Sequence, residues 1–152
     1  EMNIRDWSSD VCSSDLVLHA TTVAHRGRAL VIRGASGTGK SALAMELIGL
    51  GAALAADDRT VIAPGPDAPR ATPPAAIAGL IEVRGLGLLR LEHVGDVPIA
   101  AVLDLDRLET ARLPPPCRTE LCGQSVALYS RIRGAHFAPA LLHCLAGARV
   151  EP

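Results

Sequence analysis

From Val17 onward, short apolar runs alternate with glycine- and proline-rich breaks, the pattern of an α/β domain. Leu18 to Val23 and Ala29 to Arg33 are rich enough in β-branched and aliphatic residues to predict two strands, joined by a turn at His25-Arg26-Gly27-Arg28. The period then becomes helical. From Lys40 to Leu50, Leu43, Leu47 and Leu50 recur at i, i+4 and i+7, Ala44 and Ile48 widen the stripe, and Gly51 stands where a terminating glycine belongs. Ala52 to Ala56 predicts a further strand that ends at Asp57-Asp58. Ile77 to Val83 and Leu86 to Leu91 predict strands around Arg84-Gly85, Ile99 to Leu105 a buried strand, and Pro139 to Ala148 a closing helix with proline near its start. Residues 64–76 hold Pro64, Pro66, Pro69, Pro73 and Pro74, which bar a central strand and predict a mobile surface loop. Pro114 to Pro116 break the chain again, and no internal repeat is visible.

Composition narrows the class. At 152 residues the chain suits one domain with a real core. Hydrophobic residues make up 49%, yet there is one Trp, one Tyr and one Phe, so Ala, Val, Leu and Ile must build the core, which favours helices packed closely on a sheet. No apolar run approaches the ~20 residues needed to span a bilayer, and no signal-peptide pattern opens the chain, so a cytoplasmic location and no membrane partner are expected. A net charge of −1 gives no basic field for nucleic acid. Cysteines at 12, 117, 122 and 144 match neither a disulfide framework nor a metal-ligand spacing, and are expected to be reduced thiols.

The first sixteen residues, EMNIRDWSSDVCSSDL, show neither helical nor strand periodicity and carry the only Trp. DWSSDVCSSDL resembles the conceptual translation of a sequencing-library adapter joined to a gene fragment. Residues 1–16 are therefore expected to be a foreign or disordered tail, and residues 17–152 the functional domain.

The candidate chemistry centres on Gly34-Ala35-Ser36-Gly37-Thr38-Gly39-Lys40-Ser41, which fits G-x-x-x-x-G-K-[ST] between a predicted strand and a predicted helix. Its lysine is the single Lys of a chain that otherwise uses Arg. Given where that lysine sits, shuffling would place both glycines and the hydroxyl correctly only ~0.1% of the time, so chance is a poor explanation. Glycines let backbone N–H groups turn inward around phosphate oxygens, and the following helix start adds partial positive charge. Lys40 is suited to the β/γ-phosphates of a nucleotide and the Ser41 hydroxyl to Mg²⁺.

Phosphoryl transfer to an alcohol also asks for a metal-organising acid and a base. Asp57 and Asp58 follow the phosphate motif closely and, if strand-like, point to opposite sides, one toward metal and phosphates; a turn-forming acid pair is the alternative. Glu82 and Arg84, at i and i+2, share a strand face where they could hold metal and phosphate, or form a surface ion pair. Asp104 and Asp106 suit structural or capping roles. His93, His136 and His143 lack ligand-like spacing, and His19 taken alone reads as structural.

Several ordered segments together resemble the C-terminal kinase domain of HPr kinase/phosphorylase, in its compact proteobacterial form. They are Leu18-His19-Ala20, GASGTGKSALAMELI, AADDR and IAGLIEVRGLGLL at residues 77–89; the resemblance covers residues 17–110 and fades after Pro114. It implies a P-loop kinase core with a mixed sheet flanked by helices, close to phosphoenolpyruvate carboxykinase. It also implies an ATP- and Mg²⁺-dependent serine kinase acting on the phosphocarrier HPr in the sugar phosphotransferase system, with phosphorolysis as the reverse reaction in many members, and allows a homo-oligomer. By position, Asp57 or Asp58 would exchange the serine proton, the other would help hold Mg²⁺ with Ser41 and Glu82, and His19 would support the catalytic Asp. A small-molecule kinase or NTPase, and a nucleotide-sensing module without turnover, use the same cradle; the kinase readings need the aspartate pair to face it.

Overall fold

The computed structural model describes residues 15–150, so Trp7 and Cys12 and all but the last two residues of the expected tail lie outside the described residues. The elements in chain order are β1 (Leu16–Leu18), β2 (Ala20–His25), β3 (Arg28–Arg33), α1 (Lys40–Gly49), β4 (Ala53–Ala56), β5 (Thr60–Ala63) and β6 (Arg70–Thr72). A 3₁₀ turn at Ala75–Ile77 follows, then β7 (Leu80–Val83), β8 (Gly87–Arg90), β9 (Val97–Leu108), β10 (Cys117–Leu121), β11 (Gln124–Arg131) and α2 (Phe137–Leu145).

The sheet is mixed and organised around β9. It pairs in parallel with β3 on one side, Ile32 opposite Leu103, and with β11 on the other, Tyr129 opposite Leu103. Antiparallel neighbours extend both flanks: β2 and then β4 beyond β3, β10 beyond β11. The start of β9 pairs with β6 instead, carrying the sheet on through β5 to β1. The β7–β8 hairpin stands apart as its own two-stranded sheet.

Strand alternation divides the core in two. Leu30, Ile32, Leu103 and Leu105 pack with Leu43 and Leu47 of α1 and Leu141 and Leu145 of α2. Ala29, Val31 and Val102, on the opposite pleat, pack with Leu18, Ile62 and Ala71 from β1, β5 and β6. Both helices therefore cover one face and the short strands cover the other. Helix α1 ends where the sequence places its stop: Gly51 has φ +118, its N–H donates to Ile48 O at 3.0 Å, and Ala52 N–H donates to Leu47 O at 3.0 Å. These two bonds close a left-handed cap on carbonyls that would otherwise lack partners.

Three expectations need correction. Residues 64–76 are not only loop, because Arg70–Thr72 forms β6 between β5 and β9. The prolines permit this because none lies among those three residues. The strand expected from Ile77 begins at Leu80, since Pro73-Pro74 lead into the 3₁₀ turn first. Cys117 and Cys144 are free thiols as expected, but Cys122, buried at the β10–β11 turn, is disulfide-bonded. Pro139 is the third residue of α2, inside the first turn where its missing N–H costs no helical bond.

Candidate functional site

Parallel β3 and β9 end on the same edge of the sheet, the edge at which open α/β sheets bind ligands. From that edge, residues 34–39 lead from Arg33 into α1. The first glycine is required by close approach: a Cβ at Gly34 would stand 2.7 Å from Thr38 Oγ1 and 3.2 Å from Leu105 Cβ. Gly39, at the helix N-cap, has φ +99, a left-handed backbone that side chains resist, and no side chain caps the helix there. The helix start therefore presents open N–H groups toward the loop, an anion-binding arrangement.

The loop is braced from within and from β9. Lys40 Nζ folds back to donate to Gly34 O at 2.8 Å and Ala35 O at 3.2 Å, and Thr38 Oγ1 donates to Ala35 O at 2.7 Å. Ala35 N–H donates to both carboxylate oxygens of Asp106 at 3.1 Å. Asp104 accepts Asp106 N–H at 2.9 Å and forms a 3.2 Å ion pair with Arg33, so both acids serve the structural role expected of them. Arg131, at the end of β11, donates Nη2 to Thr38 O at 2.5 Å and Nε to Leu105 O at 3.2 Å, tying the loop to β9.

Next to the cradle lies the aspartate pair. Both residues sit just past β4 instead of within it. Asp57 is buried, and its carboxylate accepts three hydrogen bonds: from Ser41 Oγ at 2.6 Å, Thr21 Oγ1 at 3.0 Å and Glu82 N–H at 3.0 Å. Asp58 is exposed with φ +66, and its N–H donates to Thr21 Oγ1 at 3.3 Å. That left-handed turn, rather than strand alternation, is what separates the two carboxylates. Asp57 is thus directed to the cradle and Asp58 to solvent beside it.

The remaining candidates are spread around this pair. Glu82 joins through its backbone, which fastens the β7–β8 hairpin to Asp57, while the Glu82 and Arg84 side chains are exposed and form no ion pair with each other among the described residues. His19 lies exposed at the bend between β1 and β2, and the hydrogen bond to Asp57 comes from Thr21, two residues on. Ser36 and Gly37 form the exposed crest of the loop. Thr21 and Arg131 are the site residues that sequence reasoning did not single out. For Thr21 a signal existed: two consecutive threonines inside an apolar strand need buried partners, and Thr22 finds its own in Thr60 Oγ1 at 2.8 Å.

No group of three or more His, Cys, Asp or Glu side chains suited to a metal occurs among the described residues. Magnesium does not require one, because it is commonly held by one or two protein oxygens together with phosphates and water. Ser41 Oγ and Asp57 Oδ1, in direct contact at the cradle, are hard oxygens of that kind.

A glycine-bent cradle between a parallel strand and a helix, with a carboxylate on its serine, defines a P-loop kinase-like core. The family model for the HPr Serine kinase C-terminal domain matches residues 11–101, and the chain belongs to that family. HPr kinase/phosphorylase from Burkholderia lata and from Cupriavidus necator are each 36% identical to it over 93 residues, 60% of this chain and 29% of theirs. The chain thus spans less than a third of the length of these curated relatives. Its fold matches the solved structure of the Hpr(Ser) kinase/phosphatase from Coxiella burnetii with a TM-score of 0.74 at 19% identity, covering 87% of this chain and 88% of that one. No helix among the described residues is long and apolar enough to cross a membrane.

Proposed function

We propose that residues 17–152 form an ATP-dependent protein-serine kinase domain that phosphorylates HPr, with the reverse phosphorolysis available to the same groups. The observation that carries this reading is the contact between Ser41 of the cradle and Asp57, which supports a role for the aspartate pair beside the bound phosphates. A module that only sensed nucleotide would need the cradle and not the pair.

In this reading the loop amides of Gly34 to Ser41 bind and orient the phosphates, and Lys40 exchanges its two backbone carbonyl partners for β/γ-phosphate oxygens. Ser41 and Asp57, with Glu82, would hold Mg²⁺, whose charge would offset that developing on the phosphoryl oxygens. Asp58, exposed and fixed in its turn, takes the proton of the incoming serine and returns it in the reverse direction. Arg84, on the hairpin that Asp57 anchors, supplies further positive charge beside the phosphates. Alignment and charge stabilisation dominate phosphoryl transfer, so this division asks little of the base beyond placement.

The test is transfer of labelled phosphoryl from ATP with Mg²⁺ to purified HPr. Label on an HPr serine that disappears with Lys40→Ala supports the reading. ATP binding without labelled HPr would refute HPr as the acceptor.

A further inference from the structure

The turn that carries both aspartates, Asp57-Asp58-Arg59 between β4 and β5, is fastened to β2 by two consecutive threonines. Thr21 and Thr22 are both fully buried, and as neighbours in a strand they face opposite sides of the sheet. Val23, on the Thr21 side, packs with the helices, whereas Ala20 and Ala24, on the Thr22 side, pack with residues of β1, β5 and β6. Thr21 therefore lies on the face that carries α1 and the cradle.

A buried hydroxyl has one proton to give and can accept in return. Thr21 does both: its Oγ1 accepts Asp58 N–H at 3.3 Å and donates to Asp57 Oδ1 at 3.0 Å. A backbone N–H can only donate, so this relay runs one way, from the Asp58 amide through the Thr21 hydroxyl to the Asp57 carboxylate. On the other face Thr60 Oγ1 donates to Ala20 O at 2.9 Å, so Thr22 gives its proton to Thr60 across 2.8 Å. That second relay ends on a backbone carbonyl and reaches neither acid. Two relays of the same kind flank one turn, and the first alone touches the aspartates.

Of the three donors on Asp57, Ser41 belongs to the cradle and is assigned to Mg²⁺ by the proposed function. Thr21 and Glu82 N–H hold the carboxylate from the other elements of the fold. Thr21, unlike Glu82, also holds Asp58, whose left-handed φ of +66 lies outside any strand pairing.

We infer that Thr21 is a positioning residue for phosphoryl transfer: one hydroxyl fixes the buried carboxylate of Asp57 and the backbone of the proton-exchanging Asp58 relative to each other. With no exposed surface, Thr21 meets neither nucleotide nor acceptor and acts through the pair. The inference rests on the roles given to Asp57 and Asp58 in the proposed function and adds what couples them. Groups that orient a ligating side chain from behind typically contribute about 10–100-fold to affinity or activity.

Thr21→Val, similar in shape, removes the hydroxyl, and Thr21→Ser keeps it; Thr22→Val removes the second relay and is the control for a purely structural loss. Each variant of the full chain is compared with wild type in labelled phosphoryl transfer from ATP with Mg²⁺ to HPr, in Tm, and in amide hydrogen exchange without ligand. Thr21→Val is expected to lower kcat about 10–100-fold, to change KM for ATP less than about twofold, and to speed exchange of the Asp58 amide about tenfold. Thr21→Ser is expected to keep kcat within about threefold of wild type, and Thr22→Val to lower Tm while keeping kcat within about threefold. Wild-type kcat in Thr21→Val, or the same loss of kcat in Thr21→Val and Thr22→Val, overturns the inference. An Asp58 amide that exchanges equally fast in wild type and Thr21→Val overturns the relay whether or not HPr is labelled. A wild-type chain that labels no HPr refutes the proposed acceptor, and the role of Thr21 in that transfer falls with it.

Discussion

Ser41 Oγ donates a 2.6 Å hydrogen bond to Asp57 Oδ1, joining the last residue of the phosphate loop to the first of two consecutive aspartates. Asp57 is buried with three donors on its carboxylate, and Asp58 is exposed in a left-handed turn, so the same substitution at each position should have different consequences.

Asp57→Asn keeps an acceptor for Glu82 N–H and lets the Thr21 and Ser41 hydroxyls reverse and accept from the new NH₂ group, but it removes the charge that strengthens all three bonds. It should destabilise the fold by about 1–3 kcal/mol and weaken the response to Mg²⁺. Asp58→Asn should leave stability nearly unchanged, because asparagine tolerates the left-handed backbone, while lowering turnover about 10²–10⁴-fold at little cost in ATP affinity. Urea denaturation together with kcat and ATP affinity for each variant checks both statements. Full phosphoryl transfer in both variants would remove the acid–base role from the pair.

The two aspartates also show how far the sequence could be read. Their separation into a buried and an exposed carboxylate follows from strand alternation on paper, but the structure reaches it through the φ of +66 at Asp58, which no periodicity encodes. The phosphate loop was fully legible because its glycines, lysine and serine have fixed spacing and fixed tasks. The β10–β11 hairpin was not. Cys117 to Leu121 offers one buried leucine among exposed or half-exposed positions, and its two-residue turn is Cys122-Gly123, lacking the Asn or Asp that usually announces a turn with two left-handed residues. Strand β6 is three residues long, set among prolines that argue against it. Arg131 and Thr38 lie 93 residues apart, so their contact leaves no local pattern to find.

That contact makes Arg131 a positioning residue for the loop. Arg131→Ala removes two hydrogen bonds from half-buried backbone carbonyls, Thr38 O and Leu105 O, and should cost about 1–3 kcal/mol of stability. It should also weaken ATP binding several-fold by loosening residues 34–39. Arg131→Lys should recover little, because an ammonium lacks the planar fork that reaches two carbonyls at once. Equal ATP affinity in wild type and Arg131→Ala, measured by calorimetry, would confine the arginine to a purely structural part.

Tyr129 supplies a pH-dependent readout away from the loop. Burial pushes its phenol above the usual value, the nearby Cys144 adds to this, and Arg149, whose guanidinium lies 6.0 Å from the ring centroid, opposes it more weakly than burial. The folded state therefore holds the proton more tightly than the unfolded chain, where tyrosine ionises near pH ~10. The corresponding contribution to stability is fully present below about pH 10 and is lost as pH rises from there through the folded-state value. Because Tyr129 is the only tyrosine in the chain, its phenolate absorbance reports this group alone. The titration midpoint of the folded protein should lie above that of the urea-unfolded protein, and the Tm of wild type should fall relative to Tyr129→Phe only above about pH 10. A folded midpoint at or below the unfolded one would show that Arg149 outweighs burial at this position.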